Sequence, residues 1–255
     1  MKRQKVALVT GVSRHKGIGK AICLALASKG FDICFTYWSR YDDTMPWKVS
    51  PIEPEEIRSE IVALGVKCEK IEVDFTQENA AKIIFDFAES KLGKINVLIN
   101  NATHSTDSFI RDIDAKVLDD HYSVNVKTTT MLIKEFIGRF EVSSSGRIVN
   151  ITSGQSLSQM NAEIAYAMTK GAIETLTKTI YSELAMEGVT INAVNPGPND
   201  TGWMDDELKQ KLIDRFPMGR VGLPSDTANL VTFLCSEEGG WITGQVIHSE
   251  GGFIR

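Results

Sequence analysis

Short apolar runs rich in β-branched residues alternate along the chain with longer segments whose apolar positions recur every three or four residues. This pattern predicts strands at 6–10, 33–37, 66–73, 97–100, 147–151, 190–194 and 245–248, and helices at 17–29, 55–64, 80–92, 116–140 and 165–186. The strands are apolar throughout rather than alternating, as expected for a parallel sheet covered on both faces. Right-handed crossovers then give a single α/β domain over residues 1–255: a Rossmann fold, with a doubly wound parallel sheet of about seven strands and helices on both faces. Its ligand crevice belongs beyond the carboxyl ends of the strands. Two segments break the rhythm: 41–54, with Pro46, Pro51 and Pro54, and 197–223. Long irregular loops in a compact domain are often binding loops, so both are expected as active-site loops.

Composition narrows the partners. With 42% hydrophobic and 24% charged residues, 255 residues are ample to bury a core, and disorder is not indicated. The net charge of -5 comes from 28 basic against 33 acidic residues. Without a long basic run to track a phosphate backbone, nucleic acid is not an expected partner. Cys23, Cys34, Cys68 and Cys235 are widely spaced among apolar neighbours, with no metal-ligand spacing, and read as reduced core thiols. The start, Met1-Lys2-Arg3-Gln4-Lys5 followed by Val6 to Val9, faintly imitates a signal peptide, but the apolar run stops at Thr10-Gly11. No run approaches the ~18 apolar residues of a membrane span. The expected location is the cytoplasm.

The first strand leads directly into Thr10-Gly11-Val12-Ser13-Arg14-His15-Lys16-Gly17-Ile18-Gly19 and then a helix. Gly11 permits a tight turn, Gly17 lets the backbone approach a pyrophosphate, and Gly19 allows close helix packing. Free amides and the positive helix end attract the anion.

With this loop in place, the sequence resembles the short-chain dehydrogenase/reductase family over most of its length. Residues 6–19 are similar to the family's TGxxxGxG element, Asn100-Asn101-Ala102-Thr103 to its NNAG element, and Tyr166-Ala167-Met168-Thr169-Lys170 to its YxxxK pair. Ser153 stands thirteen residues before Tyr166, and Asn125 lies in the long middle helix. Residues 195–201 resemble the PGxxxT turn, and the ending resembles ITGQ and DGG. There are two departures: the glycines are spaced G-x5-G-x-G, two residues longer than usual, and Thr103 replaces a glycine. The longer spacing is similar to the divergent enoyl reductase branch, which keeps enoyl reduction as an alternative. That branch, however, separates its Tyr and Lys by six residues rather than three.

Carbonyl reduction needs a hydride donor, a proton donor and a group that steadies the oxygen. Tyr166 and Lys170 are four apart and share one helix face, so the lysine charge is expected to lower the phenol pKa from its usual value near ~10. The resemblance implies that Tyr166 is the acid in reduction and the base in oxidation, and that Lys170 also holds the nicotinamide ribose. It further implies that Ser153 binds the substrate oxygen and that Asn125 holds a water linking Lys170 to solvent. His104 reads as a polar loop histidine, His15 faces phosphate or solvent, and His121 and His248 give no signal.

Family members that prefer NAD place an acidic residue at the end of the second strand. Here that end reads Thr36-Tyr37-Trp38-Ser39-Arg40, and Arg40, Ser39 and Arg14 are expected to surround a 2′-phosphate. NADP(H) is therefore the expected cofactor, with NAD(H) the alternative if Asp42 or Asp43 reaches back to the ribose. By resemblance Asp74 contacts the adenine amine and Thr201 the carboxamide. Ser13, Ile18, Phe75, Asn101, Ala102, Pro196 and Gly197 complete the implied cofactor contacts.

The pattern is closest to 3-oxoacyl-acyl-carrier-protein reductase-like members, which act in fatty acid metabolism on a ketone beside an acyl thioester. Carrier proteins are acidic, whereas the later catalytic helix reads Ser182-Glu183-Leu184-Ala185-Met186-Glu187. Arg111, Lys134, Arg139 and Arg147 are the basic residues that would compensate. A free ketone, a sugar and a thioester stay open as substrates, acyl carrier protein stays open as a partner, and a non-catalytic cofactor-binding regulator is the alternative from another class. The resemblance also implies a homotetramer, for which Ala165, Ala167, Gly171 and Ala172 permit close helix approach.

Overall fold

The strands are β1 (Val6–Val9), β2 (Asp32–Tyr37), β3 (Cys68–Glu72), β4 (Val97–Asn100), β5 (Gly146–Ile151), β6 (Val189–Asn195) and β7 (Val246–His248), and the edge strand β3, with Glu69, Lys70 and Glu72, is not apolar throughout. In the computed structural model, which describes residues 5–45, 47, 50–141 and 145–255, the strands lie in one sheet ordered β3-β2-β1-β4-β5-β6-β7. Every neighbouring pair is parallel. Met1 to Gln4 of the leader-like start, and Pro46 of the irregular segment, lie outside the described residues.

The helices are α1 (Ile18–Ser28), α2 (Ser39–Asp43), α3 (Glu53–Val62), α4 (Ala80–Leu92), α5 (Ala115–His121), α6 (Thr129–Arg139), α7 (Ile164–Met186), α8 (Asp206–Ile213) and α9 (Pro224–Cys235). Alternate residues of β1 divide the core. Ala7 and Val9 pack with Ile22 and Leu26 of α1 and Val231 and Leu234 of α9, while Val6 and Leu8 pack with Ile84 of α4 and Phe136 of α6. This double burial explains why the strand has no polar alternation.

The structure departs from the pattern in three further places. The middle helix is not continuous: a π-helical segment, Tyr122–Thr128, joins α5 to α6. The segment 41–54 is not wholly irregular, because Tyr41 to Asp43 belong to the single-turn α2 and Glu53 opens α3, with Pro54 tolerated in its first turn. The segment 197–223 contains α8, capped by the Asp205 carboxylate, which accepts from the Leu208 amide at 2.7 Å. No residue of α8 is fully buried, and its short apolar face, Leu208, Leu212 and Ile213, is half-buried. Helix α9 follows it and buries Ala228, Val231, Leu234 and Cys235.

Strands β1 and β4 are joined at their carboxyl ends by one hydroxyl. Thr10 Oγ1 donates to the Ile99 carbonyl at 3.2 Å and accepts from the Asn101 and Ala102 amides, both at 3.0 Å. The four described cysteines are free and buried, and among the described residues no helix is long and apolar enough to cross a membrane.

Candidate active site

A cleft of about 1570 Å3 opens at the carboxyl ends of the strands. Its floor is the glycine loop. Gly11 has φ +72°, and a Cβ there would lie 2.6 Å from Ala102 Cα, while one on Gly19 would lie 2.8 Å from the Gly11 carbonyl. Asn101 Nδ2 donates to the carbonyls of Thr10 and Gly11, both at 2.9 Å, which holds the turn open against β4. Gly17 caps α1 with extended backbone and no side-chain cap, and the first turn carries no acid. Ser13, Gly17 and Ile18 join Gly11 and Gly19 in the cleft wall. A glycine cradle before an open helix start fits the pyrophosphate of a dinucleotide.

Within the longer glycine loop, His15 and Arg14 both find partners. His15 is exposed and lies outside the cleft wall, on the solvent side: its Nε2 lies 2.8 Å from Glu56 of α3, and its amide donates to Glu53 at 2.8 Å. Arg14 crosses the cleft, with Nη1 donating to the Thr201 carbonyl at 2.9 Å and its guanidinium carbon 4.3 Å from the centroid of the Trp47 ring. Its Nε stands 3.8 Å from the buried Asp42 carboxylate, which also accepts from Trp47 Nε1 at 3.2 Å. Burial lowers the Arg14 pKa while Asp42 opposes that shift.

The expected trio around a 2′-phosphate is thus not assembled. Arg14 is engaged elsewhere, and Ser39 is outside the cleft wall, its amide donating to the Glu72 carboxylate at 3.0 Å. Arg40 alone of the three lines the cleft with a side chain not paired to an acid. Asp42 is turned to Arg14 and Trp47, and Asp43 is exposed. Asp74, Phe75, Asn101, Ala102, Pro196, Gly197 and Thr201 all line the cleft.

Helix α7 brings Tyr166 and Lys170 to the same wall as Ser153. Lys170 Nζ donates to the Ile151 carbonyl at 2.8 Å and lies 5.5 Å from the centroid of the Tyr166 ring. The Ser153 hydroxyl accepts from the Gln155 amide at 3.3 Å and lines the same wall as Tyr166. The expectation that Lys170 acidifies this phenol is corrected by the surroundings. Burial pushes Tyr166 well above the usual tyrosine value, Glu163 adds to the rise, and the Ser153 hydroxyl pulls the other way. Burial also takes Lys170 down to about 8.

Asn125 sits in the π-helical segment, buried and outside the cleft wall. Its amide is saturated: Oδ1 accepts from the His104 amide (2.7 Å) and the Thr103 hydroxyl (3.1 Å), and Nδ2 donates to the His104 carbonyl and Thr169 Oγ1, both at 2.9 Å. No side-chain donor is left to hold the expected water. The unusual Thr103 finds its partner here.

His104 is not a free loop residue. It is half-buried in the cleft wall between Tyr41 and His121, with ring centroids 5.4 Å and 4.6 Å away, and burial lowers its pKa. The fully buried His121 accepts from the Thr106 amide at Nε2 and has Nδ1 2.8 Å from the Val117 carbonyl, so it is the neutral Nδ1–H tautomer. Tyr41 OH both donates to Ser105 O and accepts from Ser105 N. Sequence reasoning missed Trp38, Tyr41 and Trp47 in this wall, although three large aromatics within ten polar-rich residues were a usable signal. It also missed Arg215, Phe253 and Arg255.

Two of the four basic residues expected to compensate the acidic end of α7 are taken. Arg139 pairs with Asp86, Glu89 and Glu135, and Arg147 is buried, bonding the Ser236 and Gly146 carbonyls. Lys134 and Arg111 are exposed.

Residues 11–254 match the model of a family described as enoyl-(acyl carrier protein) reductase. An uncharacterized oxidoreductase of Bacillus subtilis (strain 168), YjdA, is 49% identical over 255 residues, 99% of this chain and 98% of that protein. The 3-oxoacyl-[acyl-carrier-protein] reductase FabG of Staphylococcus epidermidis is 34% identical over 251 residues, 97% of this chain and 98% of its own length. Among solved structures, a short-chain dehydrogenase/reductase from Serratia marcescens aligns with a TM-score of 0.86 at 31% identity, covering 99% of both chains. A blue fluorescent protein from a metagenomic library, in complex with NADPH, aligns with a TM-score of 0.87 at 30% identity over 98% of each chain.

Proposed function

Since the chain belongs to the short-chain dehydrogenase/reductase family, NAD(P)-dependent oxidoreductases acting on CH–OH groups, we propose that it reduces a ketone to a secondary alcohol with NADP(H) as its preferred cofactor. The observation that carries this reading is the grouping of Ser153, Tyr166 and Lys170 in the wall of a cleft floored by the glycine loop.

When bound, the reduced nicotinamide supplies the hydride. Gly11, Ser13, Gly17, Ile18 and Gly19 hold the pyrophosphate side, while Asp74, Phe75, Asn101, Ala102, Pro196, Gly197 and Thr201 line the rest of the dinucleotide's path. Ser153 steadies the carbonyl oxygen, and Tyr166 passes its proton to that oxygen as charge builds. A phenol held high by burial stays protonated at neutral pH, as an acid for an alkoxide must. Lys170 spends one N–H on the Ile151 carbonyl and keeps two for the nicotinamide ribose and for returning a proton to Tyr166. Asn125 acts as a positioning residue, fixing the Thr103–His104 edge.

Three features support NADP(H): Arg40 lies in the cleft wall, no carboxylate stands between Tyr37 and Tyr41, and Asp42 already has its partners. A 3-oxoacyl thioester is a candidate substrate through the likeness to FabG. The engagement of Arg139 and Arg147 favours a substrate not held on acyl carrier protein. The glycine spacing favours enoyl reduction as a second reading. A homotetramer is supported by Tyr122 and Met168, exposed apolar residues on the middle and catalytic helical segments, and sedimentation tests it.

The test is NADPH and NADH oxidation with a carbonyl panel that includes acetoacetyl and crotonyl thioesters. We expect ketone reduction that Tyr166→Phe lowers by at least a factor of about a thousand while cofactor binding is nearly kept. Near-normal turnover in that variant overturns the assignment, and reduction of the crotonyl thioester alone selects the second reading.

A further inference from the structure

Beside the C-terminal residues, the cleft wall carries two further arginines, Arg215 and Arg255, in opposite states. Arg255 donates from Nε to the Gly154 carbonyl at 3.3 Å and pairs through both Nη groups with Glu250, which in turn accepts from Asn195 at 2.7 Å. Its charge is compensated. Arg215 donates from Nε to the Ile254 carbonyl at 2.8 Å and lays its guanidinium 4.9 Å from the centroid of the Phe253 ring. Phe253 is itself packed on Phe216, ring centroids 4.9 Å apart. Among the described residues no carboxylate pairs with Arg215, and its two Nη groups make no hydrogen bond.

A guanidinium fixed in plane by one backbone bond and one aromatic face, with its outer fork free, matches the two oxygens of a carboxylate or phosphate. Its place relative to the chemistry follows from contacts: Ser153 precedes Gly154, Gly154 is held by Arg255, and Ile254, one residue back, is held by Arg215. Leu212 completes an apolar flank on the same wall.

We propose that Arg215 is a specificity-determining residue that binds an anionic tail of the substrate, so that the carbonyl compound reduced here carries a carboxylate or a phosphate ester. This rests on the reading of Ser153 and Tyr166 as the reacting centre, and it goes beyond that reading by naming the substrate class. The same oxyanion chemistry has two sources: a small oxo acid, or the phosphate of a pantetheine-linked acyl thioester.

Two matched pairs separate them: 5-oxohexanoate with its methyl ester, and acetoacetyl-pantetheine 4′-phosphate with its dephosphorylated form. With the NADPH-loaded protein, at least one charged member should exceed its neutral partner tenfold or more in kcat/KM. Arg215→Gln, which keeps a donor for Ile254, should bring that ratio to about one, and Arg215→Lys should restore part of it. The preferred pair identifies the source. Ratios within twofold in the wild type, or a ratio that survives in Arg215→Gln, overturn the proposal. Calorimetric binding of the charged probes to the NADP+-loaded protein reads the anion site without turnover, and binding of neither probe, or equal binding by Arg215→Gln, also overturns it. Neutral-ketone reduction that is lost in Tyr166→Phe leaves the reading of the reacting centre standing whichever way the anion test falls.

Discussion

Asn125 holds His104 by both of its peptide groups, Oδ1 lying 2.7 Å from the His104 amide nitrogen and Nδ2 2.9 Å from its carbonyl oxygen. The same amide reaches Thr169 of α7, so the π-helical segment, the loop after β4 and the catalytic helix meet on one side chain. Asn125→Ala strips partners from two peptide groups away from open solvent, at about 1–3 kcal/mol for each group left unsatisfied. A loss of roughly 2–6 kcal/mol in urea denaturation is expected. A loss below about 0.5 kcal/mol, the range of an ordinary surface substitution, would show that these bonds contribute little.

Much of this architecture was legible because burial on both faces writes itself into the central strands as largely apolar runs, and because Tyr166 and Lys170 sit one helical turn apart. Helix α8 was not legible, since it is only eight residues long and its three apolar residues, Leu208, Leu212 and Ile213, make too short a face to stand out from the loop around it. The role of Arg14 was not legible either: its partner Thr201 is 187 positions away, and only the folded cleft brings the two together. Spacing placed Lys170 beside Tyr166 but said nothing of how deeply the pair lies, and depth decides the direction of both pKa shifts.

Ser153 is the neighbour that draws the Tyr166 pKa down against burial. In alcohol oxidation the phenolate is the base, so the rate rises with pH through the Tyr166 titration. Ser153→Ala removes the lowering hydroxyl and should move that limb to higher pH by about 0.5–1 unit, the equivalent of a net hydrogen bond of about 1 kcal/mol. An unmoved limb in the pH–rate profile, measured with saturating alcohol, would mean that another group titrates.

Arg40 and Glu72 bear on cofactor choice with opposite signs. Arg40 offers an exposed guanidinium in the cleft wall, whereas the Glu72 carboxylate accepts from the Ser39 amide next to it and repels a 2′-phosphate. Arg40→Ala should reduce the preference for NADPH over NADH in Kd by about tenfold, the effect of ~1.4 kcal/mol, and Glu72→Gln should increase it. Fluorescence titration with both cofactors measures each ratio. Movement of both in the same direction contradicts the placement of the 2′-phosphate beside Arg40.

Lys170 links the site to stability. Burial lowers its pKa from 10.5 to about 8, so between those values the unfolded chain binds more protons than the folded one, and stability rises with pH. Below about pH 8 both states hold the proton and the full penalty of burying the charge is present; above 10.5 neither holds it and the penalty is gone. The contribution of this one group should therefore grow more favourable by about 2 kcal/mol between pH 7.5 and 9.5. Other titrating groups are common to the wild type and Lys170→Met, so their difference in unfolding free energy isolates the term. The methionine variant orphans the Ile151 carbonyl equally at every pH, which offsets the comparison without tilting it. Guanidinium denaturation at the two pH values should find wild type gaining on the variant as pH rises. A difference that is flat, or that moves the other way, would mean that Lys170 keeps an ordinary ammonium pKa and that its surroundings solvate the charge.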